Sequence, residues 1–168
     1  MVRVRQNFPA SAVGDVSEAV RAELRKPAIA NRMHAGMKIA VAVGSRGVAE
    51  IPLIVRMVVE QIKAAGAGPF IVPGMGSHEL GVLPNGLPVF MDKNAMQADG
   101  IVVINRIKSH TAFSGPIESG LVKMITIGLG KQKGADSCHA YGFGHMAKNI
   151  VDMARIKLQK APFLFGVG

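Results

Sequence analysis

The chain has 168 residues and a formal net charge of +9, with 49% hydrophobic and 18% charged residues. This length suits one domain with a buried core, and this composition excludes a disordered chain. The sequence has no Trp and one Tyr, and its basic residues never form a run of five, so nucleic acid is disfavoured and an acidic small molecule is favoured. A single cysteine excludes an intrachain disulfide and a four-cysteine metal site. With no leader-like segment and no apolar run of membrane length, we expect a cytoplasmic protein.

The first half of the chain predicts helices alternating with buried strands. Residues 2–5 alternate in polarity and predict an edge strand. Asp15 and Glu18 resemble a capping box, which predicts a helix from residue 16 to residue 26, closed by Pro27. A strand over 38–43, a helix over 50–65 with its C-cap at Gly66, and a strand over 70–72 follow. The apolar stripe of the second helix, which we expect to face a sheet, is Ile51, Ile54, Val55, Val58 and Ile62.

The alternation is interrupted after residue 78. A strand over 87–91 follows too closely for a parallel crossover, which indicates either an antiparallel excursion or a missing segment near 78–83, and we favour the second. We then expect helices over 92–98, 118–127 and 144–160, and strands over 101–104 and 163–167. The inward residues of the last helix are predicted to be Ile150, Met153, Ala154 and Leu158. The chain thus reads as one α/β domain, with a mostly parallel sheet flanked by helices.

Candidate binding groups follow the predicted strands. The loop Gly44-Ser45-Arg46-Gly47 could hold an anion with its amides at a helix N-terminus, or it could be a tight turn with a solvated arginine. The next strand leads to Pro73-Gly74-Met75-Gly76-Ser77-His78. Since parallel strands end at one edge of a sheet, we expect Arg46, His78 and His110 to converge there.

Lys123 lies in an apolar segment, between Leu121-Val122 and Met124-Ile125. Burial would lower the pKa of its amine and make it nucleophilic, although a lysine reaching out from an exposed helix face is the alternative. Glu118 could orient a base or cap a helix. Lys131 and Lys133 could contact a phosphate or carboxylate, or add only charge.

Several segments resemble the N-terminal domain of the lactate racemase LarA-like family, in particular its uncharacterised branch. They are VAVGSRG, PFIVPGMGSH, NGLPVFMD, ADGIVVINRIKSHTAFSGPIESGLVKMITIGLGKQKGA and the later His139. The resemblance implies a Rossmann-like domain and a nickel-pincer nucleotide (pyridinium-3-thioamide-5-thiocarboxylic acid mononucleotide), tethered through a lysine. It also implies a racemase or epimerase of a 2-hydroxy acid that works by hydride transfer.

The resemblance also implies roles for single residues. His78 and His110 match the two acid–base histidines, and Arg46 matches the arginine that orients the substrate. Lys123 is the candidate tether and His139 the candidate nickel ligand. We assign further cofactor contacts to Gly44, Ser45, Gly74, Gly76 and Lys131.

Three departures from the family pattern affect what is expected. The interval from His78 to His110 is shorter than in the family, Val43 replaces an acidic residue, and the family's C-terminal domain is absent after Gly168. We therefore expect an incomplete chain. Its expected partners are a 2-hydroxy acid, the cofactor-synthesis proteins and a further copy of itself, with neither nucleic acid nor membrane.

Two other functions stay open. The same loops and lysines could form a module that binds a nucleotide or a phosphorylated metabolite without redox chemistry. A nicotinamide-dependent dehydrogenase is a weaker alternative, because the chain lacks a GxGxxG motif and a ribose-binding acid.

Overall fold

The computed structural model describes residues 14–44, 50–72, 76–110 and 112–168, and the predicted edge strand at residues 2–5 lies outside these ranges. The strands are β1 (Lys38–Val43), β2 (Gly68–Ile71), β3 (Ser77–Val82), β4 (Pro88–Asp92), β5 (Gly100–Ile104) and β6 (Phe163–Val167). The helices are α1 (Val16–Leu24), α2 (Pro27–Ala30), α3 (Ile51–Ala64), α4 (Lys93–Met96), α5 (Leu121–Lys123), α6 (Lys131–His139) and α7 (Phe143–Lys160). A π-helical turn, Met124–Gly128, follows α5 directly and is called the π-turn below.

Four strands form a parallel sheet in the order β2-β1-β5-β6. The predicted α/β fold with a parallel sheet flanked by helices is thereby confirmed. The two central strands are apolar along almost their whole length, as a sheet covered on both faces requires.

Residues of the central strands alternate between two apolar layers, as the two-residue period of a strand dictates. Ile39 and Val41 pack in one layer with the apolar stripe of α3 and with Leu24 of α1. Ala40 and Ala42 face the other layer, which includes residues of the π-turn and α7. The small alanines let that second layer approach the sheet closely. The α3 stripe predicted from the sequence therefore does face the sheet.

β3 and β4 form a separate antiparallel pair, with His78 opposite Met91. The chain thus makes an antiparallel excursion here, and the missing segment near 78–83 that we favoured stays a prediction. Val89 and Met91 of β4 are fully buried, and α6 packs along β4, where Ser137 Oγ donates to the carbonyl oxygen of Pro88 at 2.6 Å. The hairpin is therefore attached to the second layer rather than to the sheet.

The segment from 118 to 139 differs from the prediction in two ways. The helix expected over 118–127 begins only at Leu121, because Gly120 has φ +139°, and it widens into the π-turn. Residues 131–139, for which no helix was predicted, form α6. Lys131 has φ +58°, a left-handed conformation that separates the π-turn from α6.

One predicted core residue of the last helix is wrong. Leu158 is 49% exposed, whereas its neighbour Lys157 has no exposed surface. Ile150, Met153 and Ala154 are buried as expected. Among the described helices, none is both long and apolar enough to cross a membrane.

Candidate functional site

The carboxyl end of β5 connects the sheet to the candidate site through Asn105. The backbone N–H of Asn105 donates to the carbonyl oxygen of Val167 at 3.0 Å, and its side-chain amide donates to the carbonyl oxygen of Gly120 at 2.9 Å. Gly120 directly precedes α5. The end of the central strand therefore positions the helix that carries Lys123.

Glu118 holds the loop that carries His110. Its carboxylate accepts from the backbone N–H of His110 at 2.7 Å and from that of Gly115 at 3.0 Å. These two hydrogen bonds lower the pKa of the Glu118 carboxyl. Of the two roles open to Glu118, orienting a base is the one that this geometry fits, since it fixes the backbone of His110.

The His110 ring is partly buried and packs against Phe113, with 4.2 Å between ring centroids. Its Nδ1 accepts from the backbone N–H of Ala112 at 3.1 Å, so in the neutral ring the proton is on Nε2. Burial lowers the pKa of His110, and the positive charge of Lys123 lowers it further. The lowered pKa favours the neutral form of the His110 imidazole near pH 7.

Lys123 is half-buried in α5. Burial is the main cause that lowers the pKa of its amine, and repulsion from Lys108 is the second, while Cys138 acts in the opposite direction. The lowered pKa agrees with the expectation from its apolar neighbours. A larger neutral fraction makes the amine a better nucleophile.

His139 ends α6, and its side chain is exposed. Nδ1 lies 2.6 Å from the carbonyl oxygen of Ala135. Since a carbonyl oxygen can only accept, Nδ1 carries the proton in this contact and Nε2 is left as the basic nitrogen. Metal-binding histidines are commonly fixed in this way, with one nitrogen donating to a backbone carbonyl and the other facing the metal.

These residues come from three different segments of the chain and interact electrostatically. The charges of Lys123, His139 and Lys108 each lower the pKa of His110. We call Lys108, His110, Lys123 and His139 the basic cluster. Lys108 was not singled out from the sequence, although its position two residues before His110 was visible there.

His78 is not brought to the basic cluster by any described contact. It is an exposed residue of β3, and within the described ranges no hydrogen bond or ring contact joins it to His110, Lys123 or His139. Arg46, Ser45 and Gly74 lie outside the described residues, so the expected convergence of Arg46 with the two histidines stays a prediction.

The two described loop glycines have local structural roles. The N–H of Gly44 donates to the carbonyl oxygen of Ile104 at 2.9 Å, so it is not free to bind an anion. A Cβ at Gly44 would lie 2.2 Å from Asn105 Oδ1, which explains the glycine. Gly76 has φ +87°, and its carbonyl oxygen accepts from the N–H of Lys93 at 3.2 Å.

Lys131 neutralises a buried carboxylate. Its Nζ lies 3.1 Å from Oδ2 of Asp92, which is fully buried. Oδ1 of Asp92 accepts from the N–H of Ala95 at 2.7 Å, whereas Oδ2 makes the ion pair without a hydrogen bond. Removing one partner of such a pair would leave an uncompensated buried charge, so Lys131 has a structural role irrespective of any cofactor.

The larger of two clefts formed by the described residues does not coincide with the basic cluster. A mainly apolar cleft of about 830 Å³ lies between α1, α3 and the carboxyl ends of β5 and β6. A second cleft of about 450 Å³ is lined by Lys108 and Glu118, beside the cluster. We place the candidate site at the cluster, because the pKa values of His110 and Lys123 are lowered there and its side chains come from several elements, whereas size alone favours the first cleft.

No protein-family model and no curated protein matches this sequence. Within the described residues, no group of three or more His, Cys, Asp or Glu side chains is arranged to hold a metal ion.

Proposed function

We propose that the chain is the N-terminal domain of a LarA-like enzyme that racemises or epimerises a 2-hydroxy acid with a nickel-pincer nucleotide. The observation that carries the proposal is the basic cluster. Within it His110, which the resemblance assigns as an acid–base group, interacts electrostatically with Lys123, the assigned tether, and with His139, the assigned nickel ligand.

The chemistry of the cluster fits this cofactor. The amine of Lys123 has a lowered pKa, as a residue that forms a covalent tether requires. Nε2 of His139 is left basic by the contact with Ala135, and a neutral imidazole suits nickel. The bound nucleotide would supply the metal's remaining ligands and the acceptor for a hydride from the substrate carbon.

His110 would exchange a proton with the substrate hydroxyl through Nε2. In the present hydrogen-bonding pattern Nε2 carries the proton and can donate to a substrate oxygen. To accept a proton at Nε2, the ring must release the N–H of Ala112, so this hydrogen bond would open during the reaction. The roles of His78 as second acid–base group and of Arg46 as carboxylate ligand rest on the resemblance alone.

Intact-mass and peptide mass spectrometry test the proposal directly. The chain is produced together with the cofactor-synthesis proteins, and we expect a covalent adduct on Lys123. Lys123→Met should lack the adduct. Lys133→Met is the matched control, since Lys133 is an exposed lysine of α6 whose amine lies 5.8 Å from the Phe90 ring centroid, and it should keep the adduct. A folded wild-type chain that stays unmodified under these conditions would contradict the proposal.

Nickel content tests His139 separately. His139→Ala should abolish nickel retention without unfolding the domain, because the side chain is exposed and its replacement leaves no cavity. His145→Ala is the control, since His145 is another exposed histidine, on α7. Equal nickel content in both variants would exclude His139 as the ligand.

The second candidate is a module that binds a nucleotide or a phosphorylated metabolite without redox chemistry. The positive charge of the basic cluster favours it, because these side chains also suit a phosphate. An unmodified chain that binds adenosine monophosphate, and loses this binding in Lys123→Met, would support this function over the first.

In either case we place the protein in the cytoplasm, as part of the proposal and in agreement with its free, buried Cys138.

A further inference from the structure

Lys157 is the most unusual buried side chain of the described residues. It lies on the inward face of α7 with no exposed surface. Its Nζ donates to the carbonyl oxygens of Ile125 at 2.8 Å and of Thr126 at 2.6 Å. A methionine would fill a similar volume without burying an amine, so packing alone does not account for a lysine here. The hydrogen bonds to these two carbonyl oxygens do account for a lysine at this position.

Both acceptors belong to the π-turn. The last carbonyl groups of a helical segment lack partners within it, and Ile125 and Thr126 are among the last four residues of this one. A lysine amine satisfies two such carbonyls whether it is charged or neutral, because the neutral form still has two N–H groups. Lys157 is thus the partner that α7 supplies to the end of the π-turn.

The attachment between α7 and the π-turn is tight and has a second component. Thr126 Oγ1 donates to the carbonyl oxygen of Ile150 at 2.8 Å, and Ile150 lies about two turns before Lys157 in α7. A Cβ at Gly130 would lie 2.3 Å from the carbonyl oxygen of Thr126 and 3.1 Å from Lys157 Nζ. Gly130 therefore packs closely against the π-turn and the Lys157 amine, beside the hydrogen bonds that α7 makes to the turn.

Lys123 directly precedes the π-turn, in the continuous helical segment that begins at Leu121. Cys138 interacts electrostatically with both Lys123 and Lys157, which places the two lysines around the same buried thiol. Lys157 is not among the charges that act on Lys123. The backbone of the π-turn is the direct structural connection between the two lysines, because Lys157 binds its carbonyl groups and Lys123 immediately precedes it.

We propose that Lys157 is a positioning residue for Lys123: by binding the carbonyl groups of Ile125 and Thr126, it holds the π-turn and keeps the Lys123 amine half-buried in the basic cluster. This inference rests on the proposed function for the task of Lys123. Its geometry, however, can be tested without the cofactor.

The test measures how fast Lys123 reacts with an amine-selective acylating reagent over a range of pH, by peptide mass spectrometry. The midpoint of the profile reports the pKa of Lys123, and the limiting rate at high pH reports its accessibility. In Lys157→Met we expect the midpoint to rise toward that of an ordinary lysine, because the released turn lets the amine reach water. At a fixed pH below the midpoint, the rate after correction for accessibility should fall several-fold, since the neutral fraction falls about tenfold per unit of pKa.

Lys160→Met is the matched control. Lys160 lies three residues further along α7 and also donates to a backbone carbonyl, that of Leu80, at 2.5 Å, but on the surface and away from the π-turn. Its removal should leave the Lys123 profile unchanged. A folded Lys157→Met chain with the wild-type midpoint and limiting rate would overturn the proposal, and so would an equal shift in Lys160→Met.

Thr126→Val provides a second variant if Lys157→Met does not fold. It removes the hydrogen bond to Ile150 but keeps the branched shape, and it should move the Lys123 midpoint in the same direction by a smaller amount. An unchanged midpoint in a folded Thr126→Val chain would then count against the proposal. These profiles use the chain without cofactor, so they test the positioning role independently of the proposed function. If the midpoint shifts in the variants but wild-type Lys123 stays unmodified after production with the cofactor-synthesis proteins, the proposed function is rejected and the positioning role is retained.

Discussion

Raising the pH from about 6 to about 9 should stabilise the wild-type fold through Lys157, and Lys157→Met should lose this gain. The amine is fully buried, and burial lowers its pKa from 10.5 to about 7. Two groups act on it from α6: the thiol of Cys138 raises this pKa and the charge of Lys131 lowers it. In the unfolded chain the amine is hydrated and keeps its ordinary pKa.

The sign follows from proton binding. Between the folded pKa of about 7 and the unfolded value of 10.5, the unfolded chain binds more protons, so the free energy of unfolding increases with pH. The penalty for burying the charge is complete below pH 7 and is relieved as the pH approaches the unfolded pKa. At about 1.4 kcal/mol per pKa unit, the whole difference corresponds to roughly 5 kcal/mol, of which about 2.5 kcal/mol falls between pH 6 and pH 9.

The upper limit of this range is set by Cys138. Burial raises the pKa of its thiol from 9.0 to about 11, so above pH 9 the unfolded chain loses this proton before the folded one does. The folded state is then destabilised as the pH rises further, in opposition to the effect of Lys157. Keeping the measurements at or below pH 9 separates the two groups.

Urea unfolding followed by circular dichroism at several pH values between 6 and 9 measures the effect. The wild-type chain and the Lys160→Met control should gain stability with pH equally. Lys157→Met should show a curve flatter by about 2.5 kcal/mol over this range, since it has no buried amine to deprotonate. A Lys157→Met curve as steep as that of the wild type would refute the assignment of a buried, pKa-lowered amine at this position.

Three further changes test the site and the segment beside it. Glu118→Gln should lower the pKa of His110 further, because the carboxylate raises it, and an unchanged pKa in a proton NMR titration of the His110 ring would show that this carboxylate does not act on the ring. Lys123→Met should instead raise the pKa of His110 in the same titration, and an unchanged value would separate the two side chains. Gly130→Ala should destabilise the fold by about 1–3 kcal/mol, since its Cβ would lie 2.3 Å from a carbonyl oxygen of the π-turn. Gly144→Ala, where a Cβ meets nothing within 4 Å, should change the urea midpoint little, and equal costs at both glycines would contradict this reading.

The sheet was largely predictable because its strands are local patterns. The bounds of β1 and β6 agree with the prediction residue for residue, since each is a short apolar run next to a glycine or proline signal. The Asp15 cap of α1 was also readable, and its carboxylate accepts from the N–H of Glu18 at 3.1 Å. The antiparallel pairing of β3 with β4 could not be predicted in the same way, because it depends on contacts between segments, including the packing of α6 along β4.

Three of the four residues of the basic cluster were named from the sequence, but the arrangement of the cluster could not be predicted. His110, Lys123 and His139 could be chosen from residue type and resemblance, whereas their proximity depends on contacts that no spacing reveals. One of these contacts is the bond from the Asn105 amide to the Gly120 carbonyl oxygen, which fixes where α5 begins. The left-handed backbone at Lys131 likewise could not be predicted at a non-glycine residue, and no helix was predicted over residues 131–139.

The error at the end of α7 shows how residue type can override geometry. Successive residues of a helix are rotated by about 100°, so position 157 lies between the directions of Ile150 and Met153, while position 158 lies roughly 80° away from Ile150 on the other side. Periodicity alone therefore places Lys157 at the centre of the buried face, and Leu158 was preferred only because it is apolar. A charged residue at the centre of an otherwise apolar helix face indicates that an interaction other than core packing requires that residue. Here Lys157, the polar residue on the buried face, binds two carbonyl groups of the π-turn. Because the π-turn directly follows Lys123, Lys157 and the candidate site are connected through this turn.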